Sequence, residues 1–163
     1  MNPDLVITEQ LAEECAMGDE HATRFLLSML DVAHLWDDLV DRDRIPTGSE
    51  VNKAFTDMLI TLPANPFFRR YQEHLHPIVV NSIINWRVSN QLENGRSEIH
   101  RLEIAYILRS SFVDLWTQVA YIMGGMDHAV AMGFKVRRAT HHEGFELYRK
   151  NLGLGEAARN GKG

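Results

Sequence analysis

The segment His34-Leu35-Trp36-Asp37-Asp38-Leu39-Val40-Asp41-Arg42-Asp43 holds four carboxylates within seven residues. Like charges at that density repel, so a helix carries them best around a cation or facing water. On a helix, Asp31, His34, Asp38 and Asp41 are spaced three, four and three, which places them on one stripe. Asp37 lies beside that stripe, four residues before Asp41. Carboxylates converging on one face suit a hard divalent cation such as Mg²⁺ or Mn²⁺, which takes oxygen ligands and bridges readily to a substrate phosphate. His34 suits a softer metal, a base, or a hydrogen bond to a neighbouring carboxylate. The bland alternative is a solvated acidic face. Asp is a poor helix former, so its repetition here works against local stability and favours a functional reason.

A second polar stripe follows. Asn85, Ser89 and Glu93 are spaced four and four, with Asn81 one turn earlier. An amide oxygen, a hydroxyl and a carboxylate at that spacing can hold one divalent cation from a single helix. The same residues are also ordinary on an exposed face.

Together the two stripes resemble a known family. Asp37-Asp38-Leu39-Val40-Asp41 looks like the DDxxD motif of class I terpenoid synthases and prenyltransferases. Asn85-Trp86-Arg87-Val88-Ser89-Asn90-Gln91-Leu92-Glu93 looks like their N-D-x-x-S-x-x-x-E motif, with Trp86 where the family has Asp. The resemblance implies an all-α fold in which the two motifs face each other and hold Mg²⁺ against a substrate diphosphate. Asp37, Asp38 and Asp41 would then be ligands on one wall, and Asn85, Ser89 and Glu93 on the other. Asp31 and His34 would support them. The chain is about half the size of a usual synthase.

The all-α nucleotide pyrophosphatases of the MazG and dimeric dUTPase type match better in size. They carry E-x-x-E and E-x-x-D pairs, for which Glu13, Glu14, Asp38 and Asp41 are the counterparts here. Both resemblances imply Mg²⁺-dependent handling of a phosphorylated small molecule. Arg42, Arg44, Arg87, Arg101 and Arg109 are candidates to hold phosphate, and spacing selects none of them. No catalytic residue is singled out. The contrasting reading is a small, non-enzymatic helical interaction protein with an acidic surface. In that case Trp36, Trp86, Trp116, Met29, Met123 and Met132 would form either a homodimer seam or simply core.

Other clusters carry less. His100 and Glu103 read as a surface pair. Asp114, within an apolar run, needs a partner such as Arg109. His141-His142-Glu143 has no second ligand group at metal spacing, and Gly-rich phosphate loops and G-x-S-x-G are missing.

These residues must be positioned by helices. The spacing predicts a short helix from Thr8 to Gly18 and a second from Asp19 or Glu20 to about Arg44. Leu26, Met29, Leu30, Ala33, Trp36 and Val40 form the core stripe of the second. Ser49 would cap a third helix through Leu62. A short helix from Phe67 to His74 and a fifth from Ile78 to Leu92, with Pro77 in its first turn, would follow. Ser97 would open a long helix through Ile122, closed by Gly124-Gly125. Asp127–Val136 and His142–Asn151 complete a single-domain antiparallel helical bundle of about six to seven helices over residues 1–152, with 153–163 as a frayed tail.

Bulk properties agree with one helical domain. There are 163 residues, 45% of them hydrophobic, with a formal net charge of -5, which gives no support to nucleic-acid binding. The single cysteine, Cys15, forms no internal disulfide and fits a cytoplasmic setting. Nothing approaches the roughly 20 apolar residues of a membrane span, so no membrane partner is expected.

Overall fold

The computed structural model describes the backbone of residues 3–42, 44–94, 98–141 and 143–160. Asp43, Ser97 and His142, named above, lie outside the described residues. The described residues form seven helices and no strand. These are α1 (Pro3–Cys15), α2 (Glu20–Asp41), α3 (Gly48–Thr56), α4 (Pro66–Glu93), α5 (Ile99–Leu108), α6 (Val113–Thr140) and α7 (Phe145–Asn160). A π-helical turn at Asp57–Thr61 and a last turn at Leu62–Ala64 prolong α3. The result is an all-α bundle in which α6 packs on α1 and α4, α2 lies against α1 and α4, and α5 runs along α4. No helix among the described residues is long and apolar enough to cross a membrane.

The ends of α2 follow from local chemistry. Asp19 caps its start by accepting from the Ala22 amide at 2.8 Å. Arg42 closes it in the left-handed region at φ 59°, short of the expected Arg44. The next cap is Thr47, not Ser49: the Thr47 hydroxyl and the Glu50 carboxylate form a capping box at the start of α3.

Two expected breaks are absent: both helices continue through them, with a kink at or near each. The short helix before Pro77 and the fifth helix after it are one element, α4, with Pro77 inside and Tyr71 non-helical at φ -114°, ψ 16°. A proline removes one N–H and crowds the carbonyl four residues back, which a long packed helix absorbs as a bend. Likewise α6 passes through Gly124-Gly125, with Gly125 at φ 77°, ψ -168°. The expected long helix through Ile122 divides at Arg109–Phe112, between α5 and α6.

The core joins Phe25 and Leu26 of α2, Leu75 of α4, Leu115 and Val119 of α6, and Cys15 of α1. Phe25 stacks on Phe68 at 5.4 Å and meets Phe67 at 6.0 Å. Trp86, Trp116 and Met132 are buried, and Met29 and Met123 pack against the core, so these residues are core and not a seam. Val40, expected in the core stripe, is exposed together with Leu39. Burial, reinforced by the charge of Glu14, pushes the Cys15 thiol up to about 12, so Cys15 serves packing.

Phe25→Ala removes a fully buried ring from the meeting point of α2 and α4. It is expected to lower unfolding free energy by about 3–5 kcal/mol, measured by urea titration; a loss below about 1 kcal/mol would show that the site collapses or never carried the core.

Candidate functional site

Asp37, beside the first polar stripe, and Glu93, of the second, meet around a guanidinium. Arg109, at the corner between α5 and α6, lies 3.7 Å from Asp37 on α2 and 3.4 Å from Glu93 on α4. Tyr148 of α7 donates its hydroxyl to Glu93 Oε1 at 2.6 Å, and its ring faces the Arg109 guanidinium at 5.4 Å. Trp86 donates its indole N–H to Asp37 Oδ1 at 3.0 Å and lies against Trp36 at 5.0 Å. Trp86 thus joins the second motif to the first, where the family resemblance would place another carboxylate.

The electrostatics are those of a half-buried cation among anions. Burial pulls the Arg109 guanidinium down, but Glu93, Asp37, Tyr148 and Asp41 outweigh it, so its net shift is upward. Burial first, then the hydrogen bond to Glu93, raises the Tyr148 hydroxyl above its ordinary value. Tyr148 therefore stays a donor to a carboxylate.

The other expected site residues are placed elsewhere. Asp38 pairs with Arg44 at 2.6 Å, and Arg44 also reaches Glu50 at 2.9 Å. Asp31 pairs with Lys53 at 2.6 Å, and Lys53 also holds Asp57 at 2.9 Å. The hydrogen bonds from Asp31 and Asp57 raise the Lys53 ammonium above its usual range. Asp41 contributes to the field at Arg109. His34 is exposed and Asn85 half-buried. Ser89 is 0% exposed and donates its hydroxyl to the Trp86 carbonyl at 2.7 Å. That hydroxyl is committed to the backbone of its own helix.

Of the stripe Asp31, His34, Asp38 and Asp41, two members therefore face cations near α3, while Asp37 beside the stripe meets the second motif. As arranged, the donors do not fit a divalent cation: Asp37 and Glu93 converge on Arg109, and Ser89 is turned to its backbone. Among the described residues, no group of three or more His, Cys, Asp or Glu side chains could hold a metal ion. For the pyrophosphatase-like set, Glu14 pairs with Lys135 at 2.5 Å, away from Asp38. Asp114 pairs with Arg137 rather than Arg109, and His100 pairs with Glu103 at 3.4 Å on the surface.

The sequence reading missed Tyr148 and the centrality of Arg109. Trp86 was the available signal, since an indole N–H beside an acidic stripe is a donor to it. No family model, curated protein or solved structure matches the chain.

The Tyr148 shift fixes a pH dependence. A group whose folded-state value is raised contributes fully below its unfolded value of about 10 and loses that contribution as pH climbs through the folded value. The urea midpoint is expected to fall as pH rises above about 10, and to fall less in Tyr148→Phe. Identical declines in the two proteins would remove Tyr148 from the account.

Proposed function

We propose that the chain is a non-enzymatic helical interaction protein that pairs with a second copy of itself through the outer face of α4. The observation that carries this reading is that α4 is buried on one side and apolar on the other. Ser82, Trp86, Ser89 and Glu93 recur at four, three and four and are buried. Val80, Ile84 and Val88 recur every four residues on the other side and are 43%, 52% and 37% exposed. A helix with one partnered face has polar residues opposite it. An apolar stripe on the outer side marks a surface for a second partner. Neighbouring α5 adds exposed Ile104 and Ile107.

A two-fold axis through Ile84 makes the stripe self-complementary: Ile84 meets the partner's Ile84, and Val80 meets the partner's Val88. The acidic residues support the same reading, because Asp31, Asp37, Asp38 and Glu93 all contact cationic side chains of this chain. Sedimentation equilibrium at submillimolar protein should give a dimer in the wild type and a monomer in Ile84→Asp. A wild type that stays monomeric throughout would sink the proposal.

A divalent-metal and diphosphate site is the second reading, favoured by one observation: Asp37 and Glu93, from the two motifs, converge on a single cationic group. Binding would need Arg109 to move and the carboxylates to regroup. Thermal melting with millimolar Mg²⁺ or Mn²⁺ plus pyrophosphate decides it. Stabilisation that disappears in Asp37→Asn and Asp38→Asn supports a site; an unchanged melting temperature in the wild type removes it.

A further inference from the structure

The kinks of the two longest helices border one cavity. Tyr71, the non-helical residue of α4, and Gly125, the non-helical residue of α6, both line a space of about 540 Å³. His74, Gln118, Tyr121 and Met126 complete its working surface. That volume lies in the range of small-molecule sites, roughly 300–1,000 Å³, in a groove open to solvent on the side where His74, Tyr121 and Met126 are exposed.

The backbone at both kinks is unusual for a helix. Tyr71 sits near the bridge region, which is sparsely allowed and frequent at functional sites. Pro77 crowds the carbonyl of Glu73, four residues back; Tyr71, the non-helical residue of α4, lies outside that turn. Gly125 adopts a conformation that is essentially restricted to glycine. A Cβ built on Gly125 would meet nothing within 4 Å. The glycine therefore serves the backbone conformation and not close packing, and the space beside it is open.

The lining defines the ligand. Tyr71 is held in place by Phe67 at 5.0 Å and by the Arg70 guanidinium at 5.4 Å from its ring. Two phenol rings and an imidazole supply flat surfaces, the Gln118 amide supplies a donor and an acceptor, and Ile122 and Met126 supply apolar contact. None of the described lining residues is Asp, Glu, Lys or Arg. We propose that the cavity between the kinks of α4 and α6 binds a small, uncharged, planar heteroaromatic ligand through stacking and the Gln118 amide. This site is separate from the Arg109 cluster and does not depend on self-association through α4.

The test is an amide-resolved NMR titration of the full chain with adenine, indole, cyclohexanol and benzoate. Adenine and indole should give saturable shifts centred on Gly125 and the Gln118 side chain, with adenine tighter because it offers both donors and acceptors. Gln118→Leu and Tyr121→Ala, checked for wild-type circular dichroism, should each weaken adenine by about tenfold, or about 1.4 kcal/mol. No saturable shift at Gly125 in the wild type overturns the proposal whatever the variants do. Tighter binding of benzoate overturns the uncharged class, and equal binding of cyclohexanol overturns the planar one.

Discussion

The half-buried guanidinium of Arg109 is the interaction on which the arrangement of four elements depends. A cation in that position loses water and must be compensated by anions held close to it. Asp37 brings α2, Glu93 brings the end of α4, Tyr148 brings α7, and Arg109 itself belongs to the corner between α5 and α6. The chain separation is large: Tyr148 follows Glu93 by 55 positions. Apolar packing alone fixes helices only to within the scatter of ridge-into-groove geometry. A shared guanidinium adds a further constraint, because Asp37 and Glu93 must both stay within ion-pair reach of it. The Trp86 indole N–H on Asp37 makes the same demand between α2 and α4 from a second point.

The corner that carries Arg109 is itself tied down. Ser82, buried on α4, donates to the Ser111 carbonyl at 3.1 Å. Ser111 and Ser110 donate their hydroxyls to the Leu108 and Ile107 carbonyls at the end of α5, and the Leu108 carbonyl also accepts from the Ser111 amide at 3.0 Å. Arg109 is thus presented by a turn whose polar groups are already satisfied. Its side chain can be spent on Asp37 and Glu93 rather than on closing a helix.

How much of this was legible depends on the range of the interaction. The all-α class and the start of α2 at Asp19 were legible because periodicity and capping act within one turn. That the two motifs would face each other was implied by the family resemblance alone, and one residue of each, Asp37 and Glu93, does share Arg109. Which carboxylate meets the second stripe was not legible. Helical geometry selected Asp38 and Asp41, whereas Asp37 makes the contact, because Arg44 and Lys53 draw Asp38 and Asp31 toward α3. Cations from a neighbouring element decide that choice, and they leave no periodic mark on α2. The kinks failed for a related reason. Pro77 and Gly124-Gly125 are local stop signals, but tertiary packing on both flanks keeps α4 and α6 continuous through them.

Convergent carboxylates are what a divalent cation and an arginine have in common, so spacing alone does not separate the two. The separation comes from the third participant. A metal site needs further oxygen donors to complete its shell, and every extra Asp or Glu serves it. A guanidinium needs its anions fixed in its plane and its faces covered by apolar or aromatic groups. At the second motif the chain places Trp86, whose N–H orients Asp37 and whose ring fills the space beside Trp36. Over the guanidinium it places the ring of Tyr148. Both choices add aromatic surface and a donor where a metal would use an acceptor. The identity of the residue between the carboxylates, not their spacing, is therefore what distinguishes an arginine-centred acidic cluster from a metal-centred one.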